Sequence, residues 1–197
     1  MMKKAEATRL SILQKAFGLI YVRGYQTTSI DDILATTNVT KGAFYYHFKN
    51  KDEMGVAIIR ELLVPTFEAT FIRPLQSDGD PVRIVYNMME DILMANEFLK
   101  VEHGCPAANF TLEMAPWHVD FTKALNDLST KWKNGIIQCI ANGKKRGEIK
   151  EDVSEEEVAV FIMSGYWGIR NMGKLANSKS VYRAYLQQLK LYLETLK

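Results

Sequence analysis

The run Thr40-Lys41-Gly42-Ala43-Phe44-Tyr45-Tyr46-His47-Phe48 collects side chains suited to meeting a polyanion. Thr40, Lys41 and Gly42, at the start of a helix, offer a short hydroxyl, a cation and unobstructed backbone N–H groups to a phosphate. Tyr45, Tyr46 and His47 carry apolar bodies with polar tips that can hydrogen-bond phosphate oxygens or touch thymine methyl groups. Ala43, Phe44 and Phe48 fall on the other face and belong to a local core. Catalytic chemistry has less to draw on. The histidines His47, His103 and His118 stand apart, and there is no HExxH, GxSxG or glycine-rich phosphate loop. An enzyme would have to pair Cys105 with His103 or His118; no metal or cofactor is called for. Cys105 and Cys139 are too few and too far apart for a disulfide framework. In Gly104-Cys105-Pro106 the sulfur falls at a predicted helix start, where the helix dipole favours a thiolate, so Cys105 is a candidate redox sensor.

These groups must be held by helices. Ile12, Leu13, Ala16, Phe17 and Ile20 recur at helical spacing, and Gly24 can end that first helix in the left-handed conformation. Thr28, with Asp31 three residues on, predicts the N-cap of a short second helix through Ile30, Ile33 and Leu34. Asn38 tolerates a left-handed turn and Thr40 caps a third helix from Lys41 to about Phe48. Asn50 with Glu53 starts a long fourth helix, which Pro65 is expected to kink or interrupt. Residues 73–81 are rich in turn formers. Further helices are expected around Ile84–Leu93, from Pro106 to Pro116, from Phe121 to Gly143 or Gly147, after the cap Ser154, and from about Ser180 to the C-terminus. No period-two alternation suggests a sheet, and the expected class is all-α.

The chain has 197 residues, 47% hydrophobic and 24% charged, as in a folded globular protein. Its net charge of +2 is unevenly spread. Residues 1–51 carry eight Lys/Arg against three Asp/Glu, a net of +5, and the remainder carries −3. A basic head on a mildly acidic body suits a module that faces a polyanion. No apolar run is long enough for a membrane span, and the start of the chain lacks the apolar stretch of a signal peptide, so a cytoplasmic location is expected.

Two blocks, Gly24-Tyr25-Gln26-Thr27-Thr28-Ser29-Ile30-Asp31-Asp32-Ile33 and Val39-Thr40-Lys41-Gly42-Ala43-Phe44-Tyr45-Tyr46-His47-Phe48-Lys49-Asn50-Lys51, resemble the N-terminal signature of the TetR family of regulators. The likeness covers about residues 8–55; Asn38 stands where the family usually has glycine. It implies a three-helix helix-turn-helix DNA-binding domain over residues 1–51, and a ligand-binding and dimerisation domain of about six helices over 52–197. Carried over to matching positions, the DNA contacts are Thr28, Thr40, Lys41, Gly42, Tyr45, Tyr46, His47 and Lys51, the last as a phosphate contact.

The resemblance further implies a homodimer on palindromic double-stranded operator DNA, a repressor released by a small effector. The expected interface lies on the last two helices, at Phe161, Ile162, Gly165, Gly168, Ile169, Tyr182, Leu186, Leu189 and Leu193. Phe67, Phe71, Met89, Phe110, Met114, Trp117, Phe121, Met163, Tyr166 and Trp167 are candidates to line an effector cavity, and their apolar character favours a neutral or hydrophobic ligand. The alternatives are a thiol-based sensor acting through Cys105, a DNA-binding protein without an effector, and the enzyme considered above.

Overall fold

The computed structural model describes residues 4–197, and among them there is no strand. Helix α1 (Lys4–Arg23) buries Ile12, Leu13, Ala16, Phe17 and Ile20 along one face. It ends at Gly24, whose φ of 96° is costly for any residue with a Cβ. Helix α2 (Ile30–Ala35) is capped by Ser29 and not, as the sequence suggested, by Thr28. Ser29 Oγ accepts from the Asp32 N–H at 3.0 Å, and Asp32 Oδ2 accepts from the Ser29 N–H at 2.8 Å. Both hydroxyl residues have an aspartate three positions on. Burial decides between them, because Thr28 is fully enclosed and its Oγ1 donates to the Gly24 carbonyl at 2.7 Å.

The end of α2 also departs from expectation, since Asn38 does not take the left-handed conformation. Thr36 and Thr37 instead turn their hydroxyls onto the carbonyls of Ile33 and Leu34, at 2.8 and 3.1 Å. The terminal acceptors are thereby satisfied without a left-handed residue. Helix α3 (Lys41–His47) starts as expected at Thr40, whose Oγ1 accepts from the Ala43 N–H at 3.2 Å. Asn50 caps α4 (Lys51–Ile58) through the Glu53 N–H at 2.8 Å, and Glu53 reaches back to the Lys49 N–H at the same distance.

Pro65 does not interrupt the helical run. The chain widens into a π-helical turn at Ile59–Leu63, returns to α5 (Val64–Phe67), and widens again at Glu68–Ile72. In the wide turn the Val64 N–H reaches the Ile59 carbonyl, a change of register next to the residue that has no N–H to donate. A 3-10 turn (Arg73–Gln76) precedes α6 (Pro81–Glu90), which is capped by Asp80. A 3-10 turn at Val101–His103 leads to α7 (Pro106–Met114), with proline at the first position, where no donor is lost. Helices α8 (Val119–Lys145), α9 (Glu155–Ala176, capped by Ser154) and α10 (Ser180–Glu194) complete the described chain. No helix among the described residues is long and apolar enough to cross a membrane.

The chain divides into two compact units. The first runs to Pro65 and takes in Pro106–Asn126, so it extends past residue 51 and recruits α7. Within it α1 packs on α2 and α4, and Leu13, Ile33, Phe44, Phe48, Met54 and Ile58 are buried. The second unit comprises Thr66–Cys105 and Asp127–Lys197, with α10 against α9 and α6. In its core Phe67 stacks on Phe71 at 4.2 Å, and the Trp132 ring stands edge-on to Phe71 and Tyr166 at 5.0 and 5.2 Å.

In the first unit, a Cβ added at Gly55 would lie 2.5 Å from Phe121 Cζ and 2.8 Å from Tyr25 Cε2. Gly55→Ala is therefore expected to destabilise the protein by about 1–3 kcal/mol through overpacking, seen as a lower urea midpoint. An unchanged midpoint would show that the two rings yield to the methyl group.

Candidate nucleic-acid interface

Helix α3 is fixed by one face and bare on the other. Phe44 and Phe48 are buried, their ring centroids 5.7 Å apart, and set the helix against the unit's core. Tyr46 is 79% exposed and Tyr45 47%, while Lys41, Gly42 and Thr40 are also exposed and His47 is half-buried. Two neighbouring tyrosines left largely in water contribute little to folding and are free to make a contact outside the chain. Lys41 Nζ donates to Asp31 Oδ1 at 3.1 Å, an interaction that holds its pKa above the ordinary value. Both partners are well exposed, and such a pair is weak enough to give way to a phosphate.

The turn between α1 and α2 is held from both sides by charged groups. Glu113, on α7, accepts from the N–H groups of Tyr25 and Gln26 at 3.1 and 2.8 Å. Lys51 Nζ donates to the carbonyls of Tyr25 and Thr28 at 3.0 and 3.1 Å and lies 4.4 Å from the centre of the Tyr25 ring. Burial lowers the pKa of this lysine, against the opposing pull of Asp52 and Glu113. The Tyr25 ring packs edge-on to Phe121 at 5.2 Å, and its hydroxyl donates to Asp52 Oδ1 at 2.6 Å. Burial, reinforced by that carboxylate, raises the phenol well above its ordinary range.

Of the residues singled out for DNA, Thr40, Lys41, Gly42, Tyr45 and Tyr46 thus lie together and exposed, with His47 beside them. Lys51 and Thr28 sit one layer inside. Thr28 is fully buried, so its hydroxyl serves the Gly24 carbonyl within the turn. Glu113 escaped the sequence reading. Its local surroundings on α7, Asn109 and Phe110 one turn earlier, give no signal for a carboxylate, and its partners lie 88 and 87 positions away.

The ten aromatic and methionine candidates divide between the units. Phe110, Met114, Trp117 and Phe121 belong to the first, where Phe110, Met114 and Phe121 are core and Trp117 is 81% exposed. Trp117 follows the end of α7 and has no helix face to pack. Phe67, Phe71, Met89, Met163 and Tyr166 are buried in the second unit, but Trp167 is 41% exposed. Two open clefts of about 350 and 670 Å³ are lined mainly by charged and amide side chains, with Val56 and Ala57 in the first and Ile72 and Leu75 in the second, and by none of the ten; of the ten, Phe110 lines a third, very small pocket beside Glu113. Cys105 is only 2% exposed, which encloses the thiol proposed as a sensor.

The dimerisation stripe also separates. Ile162, Ile169, Tyr182, Leu186, Leu189 and Leu193 are buried inside the protomer, because the face they share packs α9 and α10 within the second unit. Gly165 accommodates Tyr185, whose ring would be 2.9 Å from an added Cβ. Phe161 is 49% exposed and Gly168 is open, on a side of α9 shared with Val160, Trp167, Met172 and Leu175.

A capped pair of short helices, the second bearing exposed basic and aromatic groups, defines a helix-turn-helix DNA-binding protein. Residues 12–58 match the bacterial regulatory proteins of the tetR family, and residues 81–189 match the tetracyclin repressor-like C-terminal domain. The Tn10 transposon TetC protein of Escherichia coli is 42% identical over 192 residues, covering 94% of this chain and 93% of that protein. The transcriptional repressor DhaR of Mycobacterium sp. is 26% identical over 161 residues, covering 81% and 79%. A TetR-family regulator from Cytophaga hutchinsonii has the same fold, with a TM-score of 0.87 at 21% identity over 100% of this chain and 98% of that one. The chain belongs to the TetR family and is a DNA-binding transcriptional regulator.

The exposed and half-buried positions separate in their expected effects. Tyr46→Ala should lower operator affinity at least tenfold with the thermal midpoint little changed, since the ring is largely in water and touches the edge of its neighbour His47. Lys51→Met should lose affinity and also about 1–3 kcal/mol of stability, because it leaves two turn carbonyls without their charged donor. Paired binding and melting curves test both; a melting loss in Tyr46→Ala would reassign that tyrosine to structure.

Proposed function

We propose that the protein is a homodimeric repressor that grips a palindromic operator with α3 of each protomer and lets go when a small, mainly apolar effector occupies its second unit. The exposure of Tyr45 and Tyr46 beside Lys41, on a helix whose other face is buried, carries the DNA assignment. Thr40, Lys41 and Gly42 would meet phosphates at the helix start, Tyr45, Tyr46 and His47 the groove, and Lys51 a phosphate through whichever N–H its two carbonyl partners leave over. Thr28 acts from inside, through the turn.

Two-fold pairing is supported by the uncovered side of α9, where Val160, Phe161, Trp167, Met172 and Leu175 are 50, 49, 41, 58 and 91% exposed. With Leu191 of α10 at 62%, they leave more apolar surface in water than a monomer needs. An isologous interface built on α9 and α10 would bury it. The exposure of Trp167 supports counting it with this interface and not with the effector candidates. For the effector, the enclosed rings Phe67, Phe71 and Tyr166 with Met89 and Met163 favour an apolar ligand, and the enclosure of Cys105 favours reversible binding over thiol chemistry.

Selection from a random-sequence duplex pool tests the DNA assignment. The wild-type protein should enrich one palindrome, its affinity falling steeply with salt, and Tyr46→Ala should enrich none; equal enrichment by both would reject the role given to α3. Sedimentation tests the interface. Wild type should run as a dimer and Phe161→Glu as a folded monomer, whereas a monomeric wild type at micromolar concentration would remove the two-fold reading.

A further inference from the structure

We infer that Glu113 is a positioning residue for operator recognition, an acid outside the helix-turn-helix segment that sets the turn leading into α2. The inference rests on the DNA-binding reading above. Its carboxylate takes the consecutive N–H groups of Tyr25 and Gln26, at 3.1 and 2.8 Å, which converge on one anion because Gly24 before them is left-handed. A Cβ at Gly24 would stand 3.2 Å from Glu113 Oε1, so the glycine serves the carboxylate as well as the helix end. The same peptide run is held at its carbonyls by Lys51. The neighbouring residue on α7, Met114, receives a contact from Gln26 Nε2 at 3.0 Å to its sulfur, so the last turn of α7 meets this turn at two successive positions.

Helices of six and seven residues are too short to hold themselves, and their placement comes from what holds the turns between them. A charged acceptor on two backbone donors is among the stronger restraints available. Glu113 does not touch DNA in this assignment; it acts by fixing where α2, and with it α3, is presented.

Electrostatics alone predicts the opposite of what this inference requires. Removing a negative charge from a DNA-binding unit should raise affinity for any duplex. The test uses the full-length protein, the palindrome selected by wild type and poly(dI-dC) as the nonspecific competitor. Glu113→Gln keeps the shape but offers one neutral acceptor, and it should bind the palindrome about tenfold more weakly than wild type. Its binding to poly(dI-dC) should be unchanged or stronger, and amide hydrogen exchange at Tyr25 and Gln26 should quicken while the core of α1 stays protected. Lys41→Ala should lose affinity for both duplexes with no change in those two amides. Palindrome affinity within twofold of wild type in Glu113→Gln overturns the inference. So does an equal loss on both duplexes, since that reports general damage. Failure of wild type to prefer any palindrome would instead bring down the DNA assignment.

Discussion

The backbone between Gly24 and Thr28 is the constraint on which the first unit depends. It belongs to no helix, yet it must turn α1 into α2 while Tyr25 and Thr28 remain buried. Gln26 and Thr27 between them stay exposed, but the backbone groups beside the two buried side chains are partly withdrawn from water and need partners within the fold. Here a carboxylate takes the donors and an ammonium takes the acceptors, so one peptide segment lies between opposite charges. The Tyr25 ring closes the space beneath, against Phe110 and Phe121 and over Gly55. Hydrogen bonds to ionised partners contribute roughly 1.5–3 kcal/mol each in such settings, more than the whole intrinsic stability of a six- or seven-residue helix. Helices α2 and α3 are therefore placed by their neighbours and not by their own propensity.

That arrangement leaves α3 able to keep its outer face for a partner. Phe44 and Phe48 seat it and Thr40 accepts from the Ala43 N–H, so Tyr45 and Tyr46, which meet their neighbours Phe44 and His47 edge-on, and Lys41, in an exposed ion pair, are left largely in water. The surplus of positive charge in residues 1–51 then has a clear meaning. Lys41 pairs only weakly with an exposed aspartate, and Arg23 approaches Asp32 only to 4.0 Å. Such cations are readily exchanged onto phosphates, whereas Lys51 is held by the fold at the carbonyls of Tyr25 and Thr28.

The second unit solves a similar problem with a buried cation. Arg170 on α9 is 1% exposed and has no carboxylate within ion-pair distance among the described residues. Its guanidinium donates instead to the carbonyls of Leu99, Lys100 and Gly104, and lies over the Tyr182 ring at 5.5 Å. An uncompensated charge in the interior is expensive, and three backbone carbonyls and an aromatic face offset it in part, leaving the buried Nε without a hydrogen-bond partner among the described residues. The consequence is that the irregular segment ahead of α7, with Gly104 at a φ of 71°, is tied to α9 rather than left to solvent.

What could be read from the sequence follows the range of the interactions concerned. The helices, the caps at Thr40, Asn50 and Ser154, and the basic, aromatic face of α3 depend on neighbours within about four residues, so composition and spacing reveal them. The choice between Thr28 and Ser29 as cap could not be made locally, because both offer a hydroxyl followed by an aspartate three residues on; only the burial of Thr28 separates them. The end of α2 differs from expectation for a related reason. Asn38 suggests a left-handed turn, while the hydroxyls of Thr36 and Thr37 take the terminal carbonyls and make one unnecessary. The interior stripes of α9 and α10 show the limit most clearly. An apolar periodicity marks a face that is covered, but not whether its cover comes from the same chain. Here Ile162, Leu186 and Leu189 went inward, Met172 and Leu175 did not, and Phe161 lies between, half covered by the Tyr192 ring at 4.2 Å. Glu113 lies at the far end of this scale. Nothing within a helical turn of it asks for a carboxylate, and its purpose exists only once a segment almost ninety residues earlier has folded against it.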